Sequence, residues 1–176
     1  MPDAIEASAA PRPVGRYPHA RRAGGLLFLS GIGPRDPATD SVPGNVLDAE
    51  GHVVAHDIAA QTHAVFANVR AVLDASGARW EDLVDVTVYL TDMAGDFAGY
   101  NAVWAEYFPD PATAPCRTTL GIDALPTPIA IEIKCIATAG REPMPLARTA
   151  GEGGAVGGAD GGVRERRADP PSNTQD

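Results

Sequence analysis

The sequence predicts an α+β layer fold, a sheet with two helices packed on one face. Three observations lead there. Apolar and polar residues alternate over 84–91 and again over 129–138, the period of a half-buried strand. Apolar residues recur at helical spacing over 58–73 and over 97–108. The segments then follow one another in the order β-β-α-β-α-β-β.

Residues 17–22 and 25–30 flank Gly24-Gly25, a pair free to take positive φ, and read as a hairpin. Residues 34–56 carry Pro34, Pro37, Pro43, Gly44 and Gly51 and read as one long loop. Asp57 is the expected N-cap of a helix whose apolar row is Ile58, Thr62, Val65, Phe66, Val69, Val72 and Leu73, with Gly77 at its end. Val84, Val86, Val88 and Leu90 alternate with Asp85, Thr87, Tyr89 and Thr91. A second helix is expected over 95–108, with Phe97, Asn101, Trp104 and Phe108 along one stripe. Strands over 117–122 and 129–138 close the pattern on either side of Leu125-Pro126. In the last strand Ile129, Ile131, Ile133, Cys135 and Ala137 point toward the helices, and Ala130, Glu132, Lys134, Ile136 and Thr138 make a mixed opposite face. Leu26 and Phe28 likewise oppose Leu27 and Leu29. A partly apolar second face needs cover, so a homo-oligomer is expected.

The chain has 176 residues, 44% hydrophobic and 21% charged. Residues 1–11 are expected to be a flexible N-terminus, 12–138 the folded domain and 139–176 a disordered tail. The last 38 residues hold eight glycines, four prolines and no aromatic side chain, too little apolar material to offset the entropy of ordering. A chain ending at Gly140 should therefore keep its melting temperature and its turnover. A loss of several degrees in a thermal melt would show that the tail docks. The net charge is −9, with nine basic against seventeen acidic residues in 1–140. That balance argues against a nucleic-acid backbone binder and against adsorption to an anionic membrane. The start carries acid where a signal peptide needs positive charge, and no stretch approaches the roughly 18 apolar residues of a span. Cys116 and Cys135 form no CxxC pattern, so reduced thiols and a cytoplasmic location are the default.

No GxSxG, P-loop or helix-opening GxGxxG is present. His52 and His56, four apart, lie in a proline- and glycine-bounded loop and read as solvated, not as metal ligands; His63 reads as a polar-boundary residue of its helix. No metal site is expected. Arg117, at a strand mouth after Pro115-Cys116, is either a solvated strand-end charge or a fork of donors for a substrate carboxylate. Glu132, in the middle of an Ile-rich strand, must meet water, a partner subunit or a substrate, since unpaired burial is costly. Asn101 on its helical stripe reads as a structural tether near the site.

Val14-Gly15-Arg16-Tyr17, Leu29-Ser30-Gly31, Phe97-Ala98-Gly99-Tyr100-Asn101, Pro115-Cys116-Arg117 and Ile131-Glu132-Ile133 together resemble the Rid (YjgF/UK114) family of enamine and imine deaminases. The resemblance spans residues 10–138. Pro18-His19-Ala20-Arg21-Arg22, Ser30-Gly31-Ile32-Gly33-Pro34-Arg35 and Cys116-Arg117-Thr118-Thr119 are most similar to the branch that deaminates 2-aminomuconate. The resemblance implies a chorismate-mutase-like fold, trimers with active sites between subunits, and hydrolysis without a cofactor. It implies that Arg117 grips a substrate carboxylate, that Glu132 orients the attacking water, and that Tyr17, Ser30, Gly31 and Thr119 line the pocket. Thr119 stands where many members have cysteine, and Ile32-Gly33 where glutamine and an apolar residue are usual. Those departures favour a substrate other than the generic 2-iminobutanoate, 2-iminopropanoate or 2-aminoacrylate, and the closer match implies 2-aminomuconate, yielding 2-oxohex-3-enedioate and ammonia. A non-catalytic small-ligand-binding trimer and RNA cleavage stand as alternatives. A dicarboxylate needs a second cation. Arg35 is the expected one, against a solvated arginine paired with Asp36, with Arg21 and Arg22 as competitors of which strand alternation lets at most one face the cleft.

Overall fold

The computed structural model describes residues 3–139. Strands β1 (Ala4–Ile5), β2 (Ala20–Ala23), β3 (Leu26–Leu29), β6 (Leu83–Leu90), β7 (Cys116–Gly121) and β8 (Ile131–Thr138) form one sheet in the order β1-β2-β3-β8-β6-β7. Strands β4 (Val46–Leu47) and β5 (Val53–Ala55) pair separately. Helices α1 (Ile58–Ala75) and α2 (Met93–Tyr107) pack on each other, α1 against β8 and α2 against β6. The architecture is the expected two-helix α+β layer. All sheet pairings are antiparallel except β6 with β7, which α2 connects as the crossover that a parallel pair requires.

Local chemistry sets the boundaries. Gly24 and Gly25 adopt φ of 57° and 78°, the two positive angles of the tight turn that matches strand twist. The Asp57 side chain caps α1 by accepting from the Ala60 amide at 3.1 Å. At the other end Gly77, with φ 68°, donates to Asp74, and Ala78 donates to Leu73, the paired bonds that terminate a helix at a left-handed residue. Asp92 caps α2, which starts at Met93, two residues before the expected 95.

Four expectations are corrected. Residues 3–11 are ordered, not flexible: β1 pairs with β2, and Ala7 and Ala10 are buried in the core. Small side chains there offered no visible hydrophobic period. The 34–56 loop contains the β4–β5 hairpin, whose Val46, Leu47 and Val54 are exposed. Val84 points outward, because a register shift between Leu83 and Asp85 breaks the alternation at that point. The buried row of α2 is Asp96, Tyr100, Val103 and Trp104, so Phe97 is 40% exposed. A buried aspartate masked the true row in the sequence; His56 is its hydrogen-bond partner. Expected residues 140–176 of the tail lie outside the described residues.

Between the helices and the sheet sit Leu27, Leu29, Val65, Phe66, Val69, Val72, Leu73, Val86, Val88, Leu90, Ile131, Ile133, Cys135 and Ala137, all essentially inaccessible. Polar side chains of α1 reach out of this core to fix loops. Gln61 accepts from the Ala130 amide and donates to Asn45, and Asn68 donates to the carbonyls of Gly33 and Arg35 at 2.9 Å each. The loop carrying Arg35 is therefore tied to a rigid helix. Among the described residues no helix is long and apolar enough to cross a membrane.

Candidate active site

Strand alternation sorts the candidate residues into two groups on opposite faces of the sheet. In β8, Ile131, Ile133 and Cys135 face the helices, so Glu132 projects from the open face, opposite Tyr89. In β7, Arg117 pairs with buried Val86 and Thr119 with buried Val88, placing both on the helix side. The sheet itself lies between Arg117 and Glu132. A single protomer does not bring them together.

The first group surrounds a cavity of about 40 Å³ whose wall includes Tyr17, His19, Ser30, Gly31, Arg35 and Glu132. Glycine at position 31 is a steric requirement, since a Cβ there would collide with the Glu132 carboxylate. The bridge between Ile32 and Ile133 locks that close approach, with amide–carbonyl bonds of 2.8 and 2.9 Å. Burial pushes the Glu132 carboxyl above its ordinary pKa, with no compensating donor among the described residues. Ser30 is spent on structure, its hydroxyl donating to the Pro18 carbonyl at 2.7 Å. Tyr17 is 43% exposed at the rim. The Arg35 guanidinium lines the cavity but is held by the Asp40 carboxylate and by the Arg12 carbonyl. Its partner is thus Asp40 rather than the neighbouring Asp36, whose carboxylate is occupied by Thr39 and Ala38. Of its competitors, Arg22 donates to the Ser76 carbonyl at the end of α1, and Arg21 shares the open face with Phe28.

The second group lies between β7 and α2. Arg117 donates to Asn101 Oδ1 at 2.9 Å, and its guanidinium sits 4.7 Å from the Trp104 ring centre and 5.6 Å from that of Tyr100. Asn101 was expected to hydrogen-bond a buried group; here it accepts from this exposed arginine. Beneath the guanidinium the Tyr100 hydroxyl and Thr119 Oγ1 are buried side by side. Burial raises the Tyr100 pKa, while the Arg117 charge and Thr119 partly oppose that shift.

Two residues that the sequence reading passed over emerge here. His19, 5% exposed, accepts from the Ala7 amide at Nδ1 and donates from Nε2 to the Pro11 carbonyl. It fastens the N-terminal segment beside the cavity. Its only signal was its place two residues after Tyr17. Tyr100 was hidden by assigning the neighbouring stripe of α2 to the core. Among the other histidines, His56 is a correction: it is not solvated but bonds both Asp96 oxygens at 2.9 Å, joining the segment before α1 to the first turn of α2. His52 is exposed beside Asp48, and His63 meets the Tyr107 hydroxyl at 3.1 Å, as befits a boundary residue. Among the described residues no three His, Cys, Asp or Glu side chains cluster to hold a metal ion.

A family model described as endoribonuclease L-PSP matches residues 7–139. A RutC family protein of Pyrococcus horikoshii is 40% identical over 137 residues, which cover 78% of this chain and 98% of that protein. The chloroplastic Reactive Intermediate Deaminase A of Arabidopsis thaliana is 37% identical over 136 residues, 77% of this chain and 65% of that one. The crystal structure of E. coli TdcF with bound serine matches with a TM-score of 0.65 and 30% identity, covering 77% of this chain and 97% of that one.

Proposed function

Because this chain belongs to the endoribonuclease L-PSP family, the Rid family of the relatives above, we propose that it hydrolyses a small carboxylate-bearing enamine or imine to a ketone and ammonia. The observation that carries this reading is the half-buried Glu132 carboxylate, unpaired and pressed against Gly31 in a cavity of about 40 Å³. A site needs on the order of 10–15 Å³ to hold one water, so this cavity suits a nucleophilic water and is too small for a six-carbon substrate. The substrate must lie outside it, against another surface.

That surface, in our reading, is the β7 edge of a second protomer, which carries Arg117, set in a homotrimer against the open sheet face that carries Glu132. Exposed Phe28, Tyr17 and Leu120 mark faces that such packing would cover. Arg117 of one protomer would hold the substrate carboxylate, placing the imine carbon against the water beside Glu132 of the partner subunit. An enamine tautomerises to the imine, whose carbon is electrophilic without a metal. Water adds to that carbon as its proton passes to Glu132. The carboxyl returns that proton to the nitrogen, giving a neutral aminol. The carboxylate then takes the aminol hydroxyl proton and passes it to the nitrogen as the C–N bond breaks, so the hydroxyl becomes the ketone carbonyl and ammonia leaves with the bonding pair. No cofactor enters this scheme.

Within this class we propose 2-aminomuconate as the substrate, on the closer sequence match over 18–22, 30–35 and 116–119, with the departures at Thr119 and Ile32-Gly33 weighing against the generic substrates. Ammonia release matching the ultraviolet loss of 2-aminomuconate tests it. Turnover of 2-aminoacrylate alone would retain the class and discard the dicarboxylate. Absence of turnover on either, with carboxylates still bound, would leave a ligand-binding trimer. Ribonuclease chemistry gains nothing from the charge, which is −8 over residues 1–140.

Arg35 is the cation for the second carboxylate in this reading. It must exchange Asp40 for the substrate, so its contribution is a difference between two ion pairs. Arg35→Ala should weaken handling of the dicarboxylate by about 1.5–3 kcal/mol, the range of a charge-assisted hydrogen bond, and leave 2-aminoacrylate turnover nearly unchanged. Equal losses on both substrates, or none, would remove Arg35 from the specificity role.

A further inference from the structure

Arg35 and Asp40 form an ion pair whose two partners are held very differently. The cation is fixed at both ends. Its backbone carbonyl accepts from Asn68 on α1 at 2.9 Å, and its guanidinium donates to the Arg12 carbonyl at 2.6 Å. Its side chain is 14% exposed and forms part of the wall of the Glu132 cavity. Asp40, 71% exposed, meets it from the solvent side. Asp40 belongs to a loop, residues 36–41, that is closed mainly on itself. The Asp36 amide donates to the Ser41 carbonyl, the Asp40 amide donates to the Asp36 carbonyl, and the Asp36 carboxylate accepts from Ala38 and Thr39. Among the described residues, the hydrogen bond from Arg35 to Asp40 is the one that ties this loop to anything outside it. Asp40 also has φ 62°, the only positive value at a non-glycine position among the described residues. Aspartate is one of the few side chains that tolerate that conformation.

We propose that Asp40 is a specificity latch: its carboxylate takes on Arg35 the place of the distal carboxylate of a dicarboxylate substrate, which displaces it on binding. This rests on the reading of Arg35 as the cation for that second carboxylate. A fixed cation and a movable carboxylate allow the exchange without rebuilding the cavity. When the loop swings away, its internal hydrogen bonds travel with it, so release breaks little beyond the ion pair. Arg35 then turns the same donors to the arriving carboxylate, and one charge-assisted pair replaces another. A monocarboxylate gripped by Arg117 has nothing to offer Arg35 and leaves the latch closed. With the latch closed, a mostly buried guanidinium keeps a partner in the resting protein, where an unpaired one would be destabilising. The device lowers affinity in return. A dicarboxylate binds only the open fraction, and its apparent dissociation constant rises by the reciprocal of that fraction.

The test separates the latch from the reading it rests on. Affinities for hexanedioate, a stable six-carbon dicarboxylate, and for 2-oxobutanoate, a stable monocarboxylate, are measured by calorimetry on the intact protein, alongside thermal melting. Asp40→Asn keeps the shape of the side chain and tolerates the positive φ, and Asp40→Gly adopts that φ freely. Both variants should bind hexanedioate about 3–10-fold more tightly than the native protein, the order set by an ion pair with one exposed partner, and bind 2-oxobutanoate as before. Arg35→Ala should weaken hexanedioate alone. If it does so but neither Asp40 variant tightens hexanedioate, the latch is overturned and the reading of Arg35 stands. If Arg35→Ala binds hexanedioate as the native protein does, or if no form binds it, both fall. Equal tightening of the two ligands in the Asp40 variants would be the general effect of removing a negative charge, and would overturn the latch. Lower melting temperatures in both variants without tighter binding would mark the ion pair as structural, with the same result.

Discussion

Glu132→Gln should lower kcat by about 10²–10⁴-fold, the range for a positioned general base, while KM moves little. The substitution keeps the volume of the side chain and so keeps the water-sized cavity against Gly31. It removes only the ability to take a proton. Burial has pushed the carboxyl above its ordinary pKa, toward the pH at which a base is both deprotonated and basic enough to help. Activity of the native protein should accordingly fall as pH drops through that raised pKa, and this acid limb should be missing from the residual activity of the glutamine form. Stability should move the other way. A carboxyl with a folded pKa above its unfolded one contributes stability at low pH and loses it as pH rises through the folded pKa. The ionised carboxylate is therefore a local burden at neutral pH, and Glu132→Gln should melt at the same temperature or higher. A kcat within fivefold of the native value, or a collapse of the oligomer accompanying the loss, would sink the assignment.

The parts of the fold that the sequence made legible are those where one period governs a whole segment. Strand β8 reads directly because Ile131, Ile133 and Cys135 alternate without interruption. Helix α1 reads because its apolar row is unbroken and Asp57 and Gly77 bracket it. Helix α2 misled by one position, since its buried row includes Asp96, an acidic residue whose hydrogen-bond partner, His56, comes from forty residues earlier in the chain. Strand β1 and the β4–β5 hairpin are two or three residues long, shorter than any period can reveal. The candidate site divides along the same line. Glu132 stood out because a carboxylate interrupts an apolar strand, and Gly31 beside it came from a resemblance and not from spacing. That Arg117 and Glu132 occupy opposite faces follows from strand pairing. Pairing of β7 with β6 is parallel and rests on a crossover, which local sequence does not encode.

Arg117→Ala should leave a folded oligomer and reduce kcat/KM by roughly 10²–10³-fold, the effect of truncating one member of a desolvated, hydrogen-bonded charge pair. Folding should survive because the side chain is exposed and its intramolecular ties are few. It makes one hydrogen bond to Asn101 and lies over the Trp104 and Tyr100 rings, contacts worth about 0.5–1 kcal/mol at an exposed site. A melting shift of no more than a few degrees follows. Arg117→Lys discriminates between charge and geometry. An ammonium retains the charge and can sit over Trp104, so stability should return to the native value. It cannot offer two parallel donors to a carboxylate, so kcat/KM should recover only a small part of the loss. Asn101→Ala supplies the complementary measurement, freeing the guanidinium without removing it. If Asn101 merely restrains Arg117 in the resting state, its removal should change KM by only a few fold. Full activity in Arg117→Ala, or native activity in Arg117→Lys, would show that the substrate carboxylate is held elsewhere, and Arg35 in the other cavity would be the next cation to test.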